Sequence, residues 1–338
     1  MAPIHRYEVD GPIDTSLAIL YGRTQRLKEA VGMDTEAVEI YRNLVISDAE
    51  TYRPDLANTL NNEGDLCSDF QRLKDAEKAY KEALQIRRDL AKINSQAYRP
   101  DVAKTLSDIG TLYSQMGHFE EAYEASNEAL QIFQDLAKSS PEAYQPGLAF
   151  TLNALGTLDL QTQRLKEADE TLTEALRIRA NLAQSNPQAY QPDLGATLNN
   201  LGILYRRTSR REEAVRVYTE ALQIRRDLAK ANPVAYRPNL AMTLNNLGNL
   251  YLEMGKLEKA DECFTEALGI RRELVKDNPE VYMPVLAQTL SSLGMVYKME
   301  GRNPESIPLC TQAATIYQSL AADNADKYRQ ALSQVCMR

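Results

Sequence analysis

Residues 190–235 read YQPDLGATLNNLGILYRRTSRREEAVRVYTEALQIRRDLAKANPVA, and this stretch decides the fold. Apolar residues recur at helical spacing from Leu194 to Tyr205, after a proline suited to a first helical turn. They predict a helix, which we call helix A, over about 192–207. After a short polar break, apolar residues at the same spacing predict a second amphipathic helix, helix B, over about 211–230. An Asn-Pro pair then ends it.

The same unit repeats along the chain with a period of 46 residues and no gaps. Six copies share a glycine near the middle of helix A, and later copies share small residues on helix B. We predict that Gly202 and Ala214 let helices A and B approach, and that Ala221 admits the helix of the next unit. The glycines are Gly64, Gly110, Gly156, Gly202, Gly248 and Gly294.

One helix pair cannot bury its apolar face alone, whereas stacked pairs can. The period therefore predicts an all-α fold, a single right-handed superhelical solenoid of antiparallel helix pairs. This replaces the estimate of two globular domains that a length of 338 residues would otherwise favour.

Composition excludes several kinds of site. The net charge of −8 disfavours a nucleic-acid binder, and two histidines cannot form a multi-histidine metal centre. The four cysteines contain no C-x-x-C pair, so we expect no zinc site and predict reduced, mostly buried thiols. The reduced thiols favour the cytoplasm, and we expect no cofactor. We also expect no membrane insertion, because no run of about 18 apolar residues exists.

Catalytic motifs are also missing from the sequence. It has no G-x-S-x-G, G-x-G-x-x-G, Walker A or H-E-x-x-H pattern. Paired acids such as Glu212 and Glu213 recur at the start of helix B, where carboxylates favour the helix dipole. The sequence therefore predicts a protein that is not an enzyme.

The pattern N-x-L-G-x-x-Y followed by A-x-x-x-Y/F-x-x-A-L resembles the tetratricopeptide repeat. Gly202, Tyr205, Ala214, Tyr218 and Ala221 stand at the matching places. The usual unit has 34 residues. The longer unit and its T-L-N-N-L core are most similar to the kinesin-light-chain-like subgroup and to related bacterial arrays. The resemblance implies that helix A lines a concave groove.

Departures from the unit mark the ends of the repeat region. We predict an N-terminal extension at 1–13, about seven repeats over 14–327 with the first and last degenerate, and a partial repeat or capping helix at 328–338. Pro304 and Pro308 are predicted to interrupt the start of helix B in the last full unit. The end of the sequence fits either a cap or a fragment of a longer protein.

Two candidate binding features follow from the groove that the resemblance implies. The residue three positions before each repeat glycine is predicted to face the groove. A row of asparagines at this position could bind the backbone of an extended peptide. The alternative is helix packing or solubility. A second row, one residue further on, is predicted to lie between helices A. The first row comprises Asn61, Ser107, Asn153, Asn199, Asn245 and Ser291.

Arg206 and Arg207 begin a basic stretch in an acidic chain and could hold an acidic or phosphorylated segment. The alternative is compensation of the helix dipole. The Ile-Arg-Arg element of helix B, as at Arg225 and Arg226, is predicted to form a solvated outer face. Other groove candidates vary between units, and they lie six residues before each glycine or directly after it.

These patterns predict a non-catalytic scaffold or adaptor that binds a peptide or protein segment in its groove. The proposed contacts are Asn61, Asn153, Asn199, Asn245, Arg206 and Arg207. The alternative function is a sensor or self-assembly arm of a larger multidomain signalling protein. We expect a monomer or a weak homo-oligomer.

Overall fold

A computed structural model describes residues 27–323 and 325–336, with side chains for 35–322 and 328–336. The predicted extension at 1–13 and the predicted start of the repeats at residue 14 lie outside these ranges. The chain divides into two compact units, residues 1–178 and 179–338, with the boundary inside one helix. In the described part every regular element is an α-helix, which confirms the all-α solenoid of helix pairs.

The first unit contains helices α1 (Leu27–Ser47), α2 (Ala49–Asp69), α3 (Leu73–Ile93), α4 (Ser95–Met116), α5 (Phe119–Ser139), α6 (Pro141–Gln161) and the start of α7 (Leu165–Ser185). The second contains the end of α7, then α8 (Pro187–Arg207), α9 (Arg211–Ala231), α10 (Pro233–Glu253), α11 (Leu257–Asp277), α12 (Pro279–Met299), α13 (Asn303–Asp323) and α14 (Ala325–Ser333). Even numbers are helices A and odd numbers are helices B. Sequential helices pack against each other within each unit.

Helix A starts five residues earlier than the sequence predicts. In α8 the first residue is Pro187, and the side chain of Asn186 caps the helix by accepting a hydrogen bond from Ala189 N at 3.1 Å. Pro192 therefore lies inside the helix rather than in its first turn. Two 21-residue helices, a three-residue turn and one capping asparagine fill the 46-residue period. The length beyond the usual unit comes from longer helices.

The turn between helices A and B reverses the chain through one left-handed residue. Ser209 has φ of 60°, and Arg210 N donates to Tyr205 O at 2.8 Å to close the end of α8. Gly117, Gly255 and Gly301 take the same conformation at their turns. Glycine adopts it without strain, whereas serine at 209 carries a modest cost.

Small residues allow the helices to pack closely, as predicted. Ala214 and Ala221 are fully buried. An added Cβ at Gly202 would lie only 2.4 Å from Cε1 of Tyr218, so the glycine makes room for the ring on α9. The same arrangement holds at Gly248, where the ring is Phe264.

Tyr80 and Tyr218 occupy the same position in two repeats but differ in their polar contacts. The Tyr80 hydroxyl donates a 2.6 Å hydrogen bond to Asp65 Oδ1. The fully buried Tyr218 hydroxyl has no hydrogen-bond partner among the described residues, because Ile203 stands where Asp65 would be. A buried hydroxyl without a partner is unfavourable.

We expect Tyr218→Phe to raise the free energy of unfolding by up to about 1 kcal/mol, since it removes an unpaired buried hydroxyl. Tyr80→Phe should lower it by about 1–2 kcal/mol, because the Asp65 carboxyl loses its donor. Urea unfolding of the two variants in parallel measures both changes. Equal losses in the two variants would contradict the difference in hydrogen bonding.

Two predictions about the C-terminal end are wrong. Helix α13 runs without a break through Pro304 and Pro308, because a proline near the start of a helix loses few backbone hydrogen bonds. Cys67 and Cys263 are buried thiols outside any disulfide, as predicted, but the other two cysteines, Cys310 and Cys336, form a disulfide. The cytoplasmic location stays a prediction, and it loses part of its basis in reduced thiols.

The disulfide occupies the space that an aromatic ring fills in three earlier repeats, at Tyr80, Tyr218 and Phe264. An added Cβ at Gly294 would lie 2.7 Å from Cys310 Sγ and 3.0 Å from Cys336 Sγ. Backbone contacts hold the segment after α14 in place, since Cys336 N donates to Ser291 Oγ at 3.1 Å and Lys298 Nζ donates to Cys336 O at 3.1 Å. Only this packing brings together two cysteines 26 residues apart.

None of the helices between residues 27 and 336 that the structure describes has the length and apolar character needed to cross a bilayer.

Candidate functional site

Most of the predicted asparagine row is buried between helix pairs. The exposed fractions are 0% for Asn61, 2% for Asn199 and 3% for Asn245, while Asn153 is half-buried. The prediction that the row faces a groove is therefore wrong for the first three. Adjacent residues of a helix point about 100° apart, and it is the second row, including Asn246, that is half-exposed. Contact of any of the four asparagines with a peptide stays a prediction.

The buried amides belong to a network around an arginine of helix B. Within residues 1–178, Arg87 Nη1 donates to Asn61 Oδ1 at 2.7 Å and also contacts Thr105 Oγ1. Within residues 179–338, Arg271 Nη1 donates to Asn245 Oδ1 at 3.2 Å and to the Val285 carbonyl at 2.6 Å. Each arginine thereby joins its own helix pair to helix A of the next pair. The buried arginines are Arg87, Arg179, Arg225 and Arg271.

The solvated outer face predicted for the Ile-Arg-Arg element is half wrong. Its first arginine is buried, as Arg225 with an exposed fraction of 4% shows. The second arginine is partly exposed and forms an ion pair with helix B of the next repeat, as Arg226 Nη2 does with Glu266 Oε2 at 2.5 Å. Burial lowers the pKa of Arg225 and of Arg271 to about 10, so both side chains stay charged at neutral pH.

The sequence carries a signal for this network that the periodicity alone does not reveal. At the position three residues before the repeat glycine, helix A has an asparagine in each repeat whose residue 26 places later is arginine. It has a serine in each repeat whose later residue is aromatic. The pairs are Asn61 with Arg87, Ser107 with Phe133, Asn153 with Arg179, Asn199 with Arg225, Asn245 with Arg271 and Ser291 with Tyr317. The amide therefore accompanies a buried cation that needs acceptors.

The solvent-facing side of the helices A, which we call the helix-A face, differs between repeats. Within residues 1–178, the residues six positions before the repeat glycines include Lys104 and Phe150, both exposed. Within residues 179–338 they include Met242, 39% exposed, and Gln288, also exposed, whereas Ala196 is half-buried. These side chains vary where the architecture repeats, so they are available for specific recognition.

Carboxylates mark the helix-A face of the first unit. Asp108 Oδ2 accepts a 3.1 Å hydrogen bond from Asn61 Nδ2, and Asp65 accepts one from Tyr80. Burial, together with the nearby charge of Asp65, raises the pKa of Asp108 to about 7. Burial also raises the pKa of Asp65, although its hydrogen bond with Tyr80 acts in the opposite direction.

A cavity of about 500 Å³ opens on the helix-A face of the second unit, and we call it the helix-A cavity. Its lining residues lie on α8, α10, α12, α13 and α14 and at Gln334. Its lining mixes an arginine, short polar side chains and apolar groups. The lining residues are Arg206, Asn249, Leu252, Pro284, Val285, Gln288, Ser291, Ser292, Met295, Tyr317, Tyr328, Ala331 and Gln334.

Of the two predicted arginines, the structure places one in this cavity. Arg206 is half-buried, and its Nη1 lies 3.3 Å from Glu253 Oε1, which is a loose ion pair. Arg207 is exposed and does not line the cavity. Arg210 is neutralised locally, since it pairs with Glu213 at 2.7 Å and covers the Tyr205 ring. Arg206 is therefore the cation best placed to meet an acidic group there.

Comparisons with known proteins agree with the repeat architecture. Four family models, each described as a tetratricopeptide repeat, match residues 13–89, 103–136, 194–233 and 241–274. No curated protein matches the chain significantly.

Solved structures share the fold at low sequence identity. BtubC (BKLC) from P. vanneervenii is 23% identical with a TM-score of 0.59, over 73% of this chain and 92% of that one. Kinesin-light-chain TPR-like repeats from Podospora anserina are 17% identical with a TM-score of 0.51, over 66% and 98%. The APC/C hetero-tetramer Cut9-Hcn1 is 14% identical with a TM-score of 0.58, over 96% and 55%. Together with the four repeat matches and the helix-pair period, these structures lead to one conclusion: the chain belongs to the tetratricopeptide repeat proteins.

Proposed function

We propose that the protein is a non-catalytic scaffold that binds an extended protein segment in the helix-A cavity of residues 179–338. Tetratricopeptide repeats are protein-interaction scaffolds in general, which supports the class of function. The observation that carries the proposal is the cavity itself, because a space of about 500 Å³ suits a few side chains of a bound segment.

The lining indicates the chemistry of the segment. Arg206 would meet an acidic or phosphorylated group, and its exposed neighbour Arg207 would add attraction at longer range. Gln288 and Ser292 would bond the peptide backbone, since both offer donors and acceptors. Met295 and Tyr317 would contact an apolar side chain. In this proposal Asn199 and Asn245 act indirectly, by holding the helices A that carry the cavity.

The proposal is tested with peptides selected from a random library on the intact chain and measured by fluorescence anisotropy. Arg206→Glu should weaken binding about tenfold or more, because it places like charge against an acidic group. The double variant Gln288→Ala and Ser292→Ala should weaken it about fivefold, since two polar contacts are lost. Arg211→Glu, an exposed arginine outside the cavity, is the matched control and should change affinity less than about twofold.

Two results would contradict the proposal. Peptides that bind Arg206→Glu as tightly as the parent chain would remove the acid preference, and equal binding by the Gln288 and Ser292 variant would remove the cavity. A defined oligomer in light scattering that loses peptide binding as it assembles would instead support the self-assembly arm.

A further inference from the structure

A second hollow, of about 430 Å³, lies on the opposite side of the helix pairs in residues 179–338, between two helices B. Its lining is mostly apolar but includes Glu305, whose carboxylate is paired with Arg302. The lining residues are Thr265, Leu268, Gly269 and Arg272 of α11, Leu293 and Tyr297 of α12, and Glu305, Pro308 and Leu309 of α13. We call it the helix-B hollow. It shares no lining residue with the helix-A cavity.

The same ion pair joins neighbouring helices B at three places, and the arginine is replaced by Gln134 and Ala180 in two other repeats. The arginine of one helix meets a glutamate 40 residues later, as in Arg88 Nη2 to Glu128 Oε2 at 2.6 Å and Arg226 Nη2 to Glu266 Oε2 at 2.5 Å. Arg42 and Glu82 form the same pair at 2.7 Å.

At the helix-B hollow this pair is incomplete. The arginine is Arg272, but the residue 40 places later is Gln312, although all six earlier repeats have glutamate at that place. Within residues 35–322 and 328–336, Arg272 has no hydrogen-bond or ion-pair partner. An exposed guanidinium with five donors is thus left beside an apolar hollow.

Two further departures from the repeat make the hollow. Gly269 stands where the earlier repeats have a glutamine, an arginine or a glutamate, and an added Cβ there would meet nothing within 4 Å. Pro308 stands where the five preceding repeats have a charged residue. Three departures from the repeat therefore lie around one arginine, and two of them replace long polar side chains by glycine and proline.

We propose that the helix-B hollow binds a partner protein segment that presents an aspartate or glutamate beside a large apolar side chain. The carboxylate completes the ion pair that Gln312 leaves open, in the bidentate geometry that arginine favours. The neighbouring apolar side chain fills the space over Gly269, between Leu268 and Pro308. This surface acts independently of the helix-A cavity, so the chain could hold two segments at once.

The probe is the blocked dipeptide N-acetyl-Leu-Glu-amide, with N-acetyl-Leu-Gln-amide as its uncharged counterpart. Each is added to the intact chain, and methyl NMR follows Leu268 and Leu309. We expect both methyl groups to shift with the glutamate probe, and the glutamine probe to bind about threefold or more weakly, because it lacks the ion pair. The methyl group of Met295 reports the helix-A cavity separately and should not shift.

Three variants test the origin of binding. Gln312→Glu restores the internal partner of Arg272 and should weaken the probe about fivefold or more. Gly269→Gln refills the hollow and should abolish the shift of Leu268. Gln318→Glu makes the same charge change on an exposed residue of the same helix outside the hollow, so it should leave binding unchanged.

If about 10 mM probe shifts neither Leu268 nor Leu309, the dissociation constant lies well above that concentration and the proposal is overturned. So would equal weakening by Gln312→Glu and Gln318→Glu, which would indicate only a general charge effect. Self-association of the chain that Gln312→Glu abolishes would assign the hollow to a second copy instead.

Discussion

Replacing Arg225 with alanine is expected to lower the free energy of unfolding by about 3 kcal/mol, because a buried charge-assisted network and its packing are lost together. Arg225 Nη1 donates to the Asn239 carbonyl at 2.8 Å and to Thr243 Oγ1, and both acceptors lie on α10. The side chain therefore joins α9 to the next helix pair. Since stability in a repeat array depends on contacts between neighbours, the joint should open as a unit.

Urea unfolding and hydrogen exchange of α9 and α10 measure this effect. Arg226→Ala is the control, because its ion pair with Glu266 is half-exposed and should contribute less than about 1 kcal/mol. Arg225→Met restores apolar volume without the charge and should recover the packing part, about half of the loss. A cost for Arg225→Ala no larger than that for Arg226→Ala would disprove the role of the network.

Gly202→Ala is expected to lower the free energy of unfolding by about 2–3 kcal/mol, although alanine favours helices over glycine. The added Cβ would lie 2.4 Å from Cε1 and 2.6 Å from Cζ of Tyr218. That ring is fully buried, so it cannot move aside without disturbing its neighbours. Helices α8 and α9 would have to separate, and thermal and urea unfolding would both record the loss.

The control for the second prediction is Gly269→Ala, where the added Cβ meets nothing and helix propensity should raise stability by up to about 1 kcal/mol. A double-mutant cycle gives a sharper test. In a Tyr218→Ala background the clash is gone, so Gly202→Ala should become neutral or stabilising. An unchanged cost in that background would show that the ring is not the cause.

The asparagine row shows where prediction from the sequence fails. Its period and its place on helix A follow from the spacing, but which of Asn199 and Asn200 is buried depends on a rotation of about 100° around the helix axis. Neighbouring helix pairs set that rotation through contacts far apart in sequence, such as Thr243 Oγ1 to Asn199 Oδ1 at 3.3 Å. Arg206 lies in the last turn of α8 and lines the helix-A cavity, and its contact with an acidic group stays a prediction.

Buried arginines were missed for a related reason. A charged residue is normally solvated, so Arg225 and Arg271 were assigned to an outer face. Their burial is possible because Thr and Asn side chains and backbone carbonyls of two helix pairs supply acceptors at one point. The disulfide between Cys310 and Cys336 is a similar case, since it depends on how the residues after α14 pack over Gly294.

The sequence by itself determined the helix pairs, their period, the small residues at their contacts and the repeat family, because these follow from local spacing and from identity between copies. Only the tertiary structure decided which polar residues are buried, that Arg272 has no ion-pair partner within residues 35–322 and 328–336, and where the helix-A cavity and the helix-B hollow lie. Those properties depend on the free energy of contacts between different repeats, and a single repeat, taken alone, does not contain them.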